Sequence, residues 1–199
     1  TFEGIEGSGK SLHIKSVVNY LKKKKVPFVK LREPGGSKNS EKIRKLILDK
    51  KSNFNNNTDL LLYLASRSEN IEKIINKFYK KKLILIDRFT DSTIAYQHFG
   101  MGVDKKIIKI INNYLLRKLK VNFTFLHIVN EKNLKQRLLK RKNLNRYDNF
   151  KYSFYKKVQK GFIKESNLNK KKYLIIDSNK KINENKKKIL NKINKLIKI

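Results

Sequence analysis

Apolar positions along the chain follow two alternating rhythms. Thr1-Phe2-Glu3 reads as the end of a strand, and over residues 10–24 the side chains of Leu12, Ile14, Val17, Val18 and Leu21 fall largely on one side of a helix. Residues 26–31 form a short strand. Ser40 is placed to cap a helix carrying Ile43, Leu46 and Ile47; after an Asn-rich loop at 53–58, Thr58 or Asp59 can cap a long helix reaching about residue 79. Leu83-Ile84-Leu85-Ile86 is an unbroken apolar run closed by Asp87-Arg88, the pattern of a strand buried on both faces of a parallel sheet. Helices follow near 91–99 and over 104–119, the latter with Ile107, Ile111, Tyr114 and Leu115 in phase. Residues 123–129 are a strand, 131–141 and 149–165 helices, 173–176 the last strand, and Ile182, Ile189, Ile193, Leu196 and Ile197 mark the last helix.

Strands alternating with helices call for an α/β fold, a parallel sheet joined by right-handed crossovers. With no internal repeat or linker, residues 1–199 read as one domain. Only three residues precede Gly4, whereas strands usually run to about five or six. The natural chain is therefore expected to carry several more apolar residues at its N-terminus.

Charge changes the picture less than its size suggests. The 199 residues include 50 Lys and Arg against 16 Asp and Glu, a net charge of +34 that by itself points to a nucleic-acid binder. Only eight of the basic residues are Arg, Asn and Ile are heavily used, and there are two Ala. Lys, Asn and Ile are read from A/T-rich codons, so drift in an A/T-rich genome accounts for the lysines. They also run along the whole chain instead of gathering with aromatics on one element, so no specific nucleic-acid partner is expected. The absence of Cys excludes disulfides, Cys-ligated zinc, iron–sulfur clusters and thiol catalysis. No uncharged apolar run approaches the ~20 residues of a membrane-spanning helix.

Glycine is scarce, eight in all, and seven lie in three short stretches. The first, Gly4-Ile5-Glu6-Gly7-Ser8-Gly9-Lys10-Ser11, fits the phosphate-binding loop G-x-x-x-x-G-K-[ST] in its required place between a strand and an amphipathic helix. Its glycines let backbone N–H groups converge on phosphate oxygens, Lys10 reaches the β/γ-phosphates, and Ser11 offers a hydroxyl to Mg²⁺. Glu6 is unexpected in an anion-binding loop and should face a cation or a second substrate's hydroxyl.

Further candidates follow along the chain. Arg32-Glu33-Pro34-Gly35-Gly36 closes the second strand with a turn. Arg67 falls in phase with Leu60, Leu64, Ile71, Ile74 and Phe78, so its guanidinium needs a partner on the core side of its helix: a buried acid or a ligand. Asp87 and Arg88 end a buried strand where open α/β sheets bind ligands, and Ser92, Tyr96 and Gln97 sit on adjoining helical turns able to reach one pocket. Arg137, Arg141 and Arg146 cluster where the apolar phase is lost, which suggests a mobile basic lid at about 140–150 that closes over a transferring phosphate, or else a solvated loop.

Assembled, these stretches resemble the thymidylate kinase family, P-loop enzymes that phosphorylate dTMP. The likeness rests on Phe2 to Ser11, Arg32 to Gly36, Leu64-Ala65-Ser66-Arg67 and Asp87 to Gln97, in the family's order and spacing. Glu6 together with lid arginines is similar to the bacterial-type arrangement. The resemblance implies a five-stranded parallel sheet in a three-layer α/β/α nucleoside monophosphate kinase fold, ATP and dTMP as ligands, Mg²⁺ held by Ser11 and Asp87, a homodimer, and a cytoplasmic setting. It further implies that Arg44 and Arg88 bind the dTMP phosphate with Glu33 nearby to orient or neutralise them. Tyr63 would stack on the thymine, Arg67 would donate to O4, Gln97 or a neighbour would pair with N3, and Tyr96 would crowd the sugar 2′ position. Lys10, Arg88, Arg141 and Arg146 would offset charge during transfer. His13, His98 and His127 need no role, and His127 reads as a packed strand residue. The rivals are a kinase for another nucleoside or nucleoside monophosphate, and a basic nucleic-acid-binding P-loop protein.

Overall fold

Five strands, β1 (Phe2–Glu3), β2 (Phe28–Arg32), β3 (Leu83–Asp87), β4 (Thr124–Ile128) and β5 (Tyr173–Asp177), form one sheet in the order β2-β3-β1-β4-β5. Every pairing is parallel. The computed structural model describes residues 1–140 and 145–197. Between the strands run α1 (Lys10–Lys23), α2 (Lys38–Leu48), α3 (Asn56–Asn70), a π turn at Ile71–Ile75 that continues α3 into α4 (Asn76–Phe78), and α5 (Thr90–Thr93), prolonged by a π segment at Ile94–Gly100. Then come α6 (Lys105–Leu116), α7 (Glu131–Leu139), a 3₁₀ turn at Arg146–Asn149, α8 (Tyr152–Leu168) and α9 (Ile182–Ile197).

Alternation along the strands divides the core. Phe2 and Phe125, rings stacked at 5.0 Å, pack with Ile14, Val17 and Leu21 of α1 and Ile189 and Ile193 of α9, whereas Leu126 turns to the opposite face with Tyr155, Val158 and Phe162 of α8. The sheet is thus covered on both faces, as its continuous apolar strands require.

Several boundaries differ from the sequence reading, each for a local reason. Ser37, not Ser40, caps α2, its hydroxyl accepting from Ser40 N. Asn55 caps α3, accepting from the N–H groups of Asn57 and Thr58, so the helix starts inside the expected loop; Asp59 is buried for a different use described below. α8 begins at Tyr152 instead of 149, after a 3₁₀ turn at Arg146–Asn149 capped by Asn145, whose Oδ1 accepts from Tyr147 N while Asp148 Oδ2 accepts from Asn145 N. On α6 the inward face is Ile108, Ile111, Asn112 and Leu115; Ile107 and Tyr114, assigned to that stripe from the sequence, face outward. Asn112 completes the inner 3–4 spacing, and its polarity hid the true phase.

His127, in the middle of β4, is fully buried and its ring lies 5.4 Å from that of His13. Neither ring nitrogen of His127 has a partner among the described residues. Burial, reinforced by the charge of Lys10, lowers its pKa to about 3. The unfolded chain takes up a proton below about pH 6.5 that the folded chain refuses until about pH 3, so the stability tied to neutral His127 is present above 6.5 and is lost on acidification. Between pH 7 and 5 the native protein should lose about 2 kcal/mol more than a His127→Leu variant, at roughly 1.4 kcal/mol per pH unit. Urea unfolding of both proteins at the two pH values checks this.

Candidate active site

The loop between β1 and α1 gains its shape from two glycines at its ends. Gly4 has φ +133°, and a Cβ there would lie 2.2 Å from the carbonyl oxygen of His127 on β4; Gly9, at φ +82°, turns the chain into α1. Lys10 folds over the loop, its Nζ donating to the carbonyls of Gly4 (2.8 Å) and Ile5 (3.0 Å). Ile5 is buried in the core and anchors the loop. Burial and then the charge of Arg88 lower the Lys10 pKa to about 8, against the opposing pull of Asp87, Glu6 and Glu3.

This loop forms one wall of a cavity of about 540 Å³ at the carboxyl ends of β1, β2 and β3. Glu6 to Ser11 line it, and so do Glu33, Arg44, Tyr63, Arg67, Asp87, Arg88, Ser92, Tyr96 and Gln97. Nearly every candidate picked from sequence therefore converges on one crevice.

The cations there are held by acids and carbonyls. Arg88 follows β3 with φ +66°, donates from Nη2 to Glu6 Oε1 at 2.9 Å, and lies 5.0 Å from the centre of the Tyr96 ring. The Tyr96 hydroxyl donates to the other Glu6 oxygen. Burial opposes the charge of Arg88, but Tyr96, Glu6 and Asp87 outweigh it and raise the pKa above that of an ordinary guanidinium. For Glu6 burial is likewise outweighed, by Arg88 and Lys10, and its pKa falls. Glu3, beneath the site, accepts from Phe89 N at 2.7 Å and from the Ser92 hydroxyl at 2.5 Å, which fixes the turn that carries Arg88. Arg44 donates to the Pro34 carbonyl at 2.6 Å, and burial and Arg32 lower its pKa.

Arg67 answers the question that its helical phase poses, since it is 1% exposed and its Nε and Nη2 meet Glu33 Oε2 at 2.9 and 2.8 Å. Glu33 accordingly sits on Arg67 and Asn70, not on the arginines expected to take the phosphate. Burial raises the Glu33 pKa in spite of Arg67 and Asn70. Gln97 Nε2, Thr93 Oγ1 and Asp87 Oδ1 are buried with no partner among the described residues, and all three side chains line the cavity. Buried polar atoms are rarely left unpaired, so these are groups that a ligand would satisfy.

The basic lid differs most from expectation. Arg141 lies outside the described residues. Arg146 does not line the cavity; it pairs with Asp59 of α3 and covers the rings of Tyr147 and Phe54. Asn145 and Tyr147 line the cavity in its place, with the Tyr147 hydroxyl donating to Asp59 Oδ2 at 2.5 Å. Arg137, not chosen from the sequence as a site residue, does reach the crevice, donating to the carbonyls of Gly7 (2.9 Å) and Ser178 (2.6 Å). The arginine cluster marked Arg137 in the sequence, but its partners Gly7 and Ser178 are distant in sequence, so its place at the crevice could not be read locally; Thr93 was hidden by its position beside more conspicuous neighbours.

A phosphate loop at one end and guanidinium groups at the other describe a crevice for two anionic ligands. The family model of thymidylate kinase matches residues 2–189. This chain belongs to the thymidylate kinase family. It is 37% identical to the thymidylate kinase of Thermosipho africanus over 182 residues, 91% of this chain and 90% of that protein. It is 33% identical to that of Thermoanaerobacter sp. over 199 residues, 99% and 97%. The crystal structure of thymidylate kinase from Ehrlichia chaffeensis superposes with a TM-score of 0.78 at 29% identity, covering 97% of this chain and 96% of that one. The likeness includes the sheet that carries the crevice, consistent with a site built by the family's shared framework.

Gly4→Ala should abolish ATP-analogue binding and lower stability by at least about 2 kcal/mol, because it combines backbone strain with a clash against β4. Gly102→Ala, also at positive φ (+82°) but in open space, should cost about 1 kcal/mol and leave binding intact. Denaturant titration and nucleotide calorimetry on the two variants separate clash from strain.

Proposed function

We propose that this protein transfers the γ-phosphoryl group of ATP to dTMP, forming dTDP and ADP. The observation that carries this reading is the convergence of Lys10, Arg44, Arg67 and Arg88 on one crevice in a chain of this family. The loop around Lys10 holds the ATP phosphates, and Arg44 and Arg88 hold the acceptor phosphate. Tyr63 faces the base, Arg67 donates to its O4, and Gln97 and Thr93 are placed for its remaining edge. Tyr96, fixed by Glu6, sits where a 2′-hydroxyl would have to fit.

An oxygen of the dTMP phosphate attacks the γ-phosphorus, a new O–P bond forms, and the bond from the γ-phosphorus to the bridging oxygen breaks, leaving its electron pair on ADP. A phosphate dianion is already a nucleophile near pH 7, so no general base is required. The work of the protein is positioning and charge neutralisation. Lys10 leaves its loop carbonyls for the phosphates, and negative charge there restores its full protonation. Arg88 bridges the two ends while Glu6 holds it in place.

Ser11 and Asp87 offer a hydroxyl and a carboxylate, oxygen ligands suited to Mg²⁺, which keeps most of its coordination for water and phosphate. The unpartnered Asp87 Oδ1 fits that use. When bound, Mg²⁺ neutralises phosphate charge. We place the reaction in the cytoplasm, where both nucleotides are found; among the described residues no helix is long and apolar enough to cross a membrane.

The outward face of α6 supports a homodimer. Ile107, Ile110 and Tyr114 recur at helical spacing and are 49%, 67% and 70% exposed, and Leu61 of α3 is 58% exposed. An apolar strip of this kind on a highly charged protein is best covered by a second copy. Sedimentation at about 0.15 M salt should give twice 23.6 kDa, and an Ile110→Glu variant should sediment as a monomer.

Initial rates with dTMP, dUMP, dCMP and thymidine test the reaction. dTMP should have the highest kcat/KM; dUMP should be poorer by the roughly 1–3 kcal/mol of one methyl group, and dCMP disfavoured by about 10⁴–10⁵. Preference for another acceptor rejects the proposal, and steep salt-dependent duplex binding without phosphotransfer would favour the nucleic-acid reading. Lys10→Ala should lower kcat by about 10²–10³ with dTMP affinity little changed.

A further inference from the structure

Asn112 lies on the inward face of α6, 4% exposed, and does not line the crevice. Its Oδ1 accepts from Arg67 Nη1 at 2.6 Å. We propose that Asn112 is a positioning residue that sets the plane of the Arg67 guanidinium and thereby the selectivity for the acceptor base; this rests on the reading of Arg67 as the group that recognises the base.

Glu33 alone cannot fix that plane. Its Oε2 accepts from Nε at 2.9 Å and lies 2.8 Å from Nη2, so the guanidinium can rock about a single oxygen. Asn112 supplies a second anchor on the other terminal nitrogen, and the Phe89 ring, 5.0 Å from Cζ, covers the guanidinium. Of the five N–H groups of Arg67, Nε–H donates to Glu33 and one on Nη1 donates to Asn112, with Nη2 in ion-pair contact with Glu33, which leaves an N–H on each terminal nitrogen for a ligand. A carbonyl oxygen at position 4 of a pyrimidine accepts from such donors, whereas the amino group of cytosine at the same position meets donor with donor.

The orientation of the amide argues for the same role. A guanidinium only donates, so Oδ1 must face Arg67, and Nδ2 is consequently buried with no partner among the described residues. An apolar side chain of the same size would avoid that orphan. Asn112 is therefore poorly explained by packing and well explained by its acceptor oxygen.

Asn112→Leu removes the acceptor and the orphan donor together, so the fold should survive while Arg67 loses its second anchor. We expect a tenfold or greater rise in KM for dTMP, a fall of at least tenfold in the ratio of kcat/KM for dTMP over dCMP, and an unchanged KM for ATP. Asn112→Asp keeps an acceptor oxygen at that point in either protonation state and should restore the ratio to within about threefold of the parent. If the Leu variant does not fold, Asn112→Ser, too short to reach Nη1, takes its place in the comparison. Arg67→Lys is the control for the underlying reading. A ratio unchanged in Asn112→Leu or its Ser substitute, but lowered in Arg67→Lys, overturns the role of Asn112 alone. An Asp variant as unselective as the Leu variant also overturns it. A ratio unchanged in Arg67→Lys removes the base-reading assignment itself and the inference with it.

Discussion

Cations have to be kept together in a buried crevice before any anion arrives. Lys10, Arg44, Arg67 and Arg88 share one cavity, and at a few ångströms like charges in a protein interior repel by several kcal/mol. The fold meets this by interleaving acids and carbonyls. Glu6 takes Arg88, Glu33 takes Arg67, the Pro34 carbonyl takes Arg44, and the loop's own carbonyls take Lys10. Lys10 is lowered first by burial and then by Arg88, so an anion bound beside it would favour its charged form.

Two kinds of compensation are distinguishable by what a ligand does to them. The partners of Lys10 and Arg44 are backbone carbonyls, neutral groups that can release a cation to a phosphate without stranding a buried charge. The partners of Arg67 and Arg88 are carboxylates, and breaking a buried ion pair leaves an uncompensated charge at high cost. Lys10 and Arg44 are thus free to move to a ligand, whereas Arg67 and Arg88 are held and present only their unused N–H groups.

Much of this was legible in the sequence because it is local. The phosphate loop, the strand ending in Asp87-Arg88 and the in-phase Arg67 each declare themselves within a few residues, and all came together in the crevice. The parallel sheet followed from unbroken apolar runs such as Leu83 to Ile86. Illegible features depend on contacts distant in sequence. Arg137 reaches Gly7 across 130 positions and Asn112 reaches Arg67 across 45. Asn112 also shows how one polar residue on an apolar stripe misleads a periodicity reading: its omission moved the apparent inner face of α6 onto Ile107 and Tyr114. Arg146 was misplaced because nothing near it in sequence reveals that Asp59 is buried 87 residues away.

Asp59 explains why residues after 144 dock instead of moving freely. It is 2% exposed on α3, and buried carboxylates need partners; Arg146 supplies the charge and Tyr147 a hydroxyl. That pairing lays the Tyr147 ring edge-on to Tyr63 and Tyr96, at 6.2 and 6.0 Å, on the side of the crevice where the base and sugar would lie. An arginine expected from the sequence in a basic lid therefore serves here to hold an aromatic wall, and the charge facing the phosphate loop comes from Arg137 on the preceding helix. The roles of wall and charge are divided between two arginines that the sequence alone placed in one cluster.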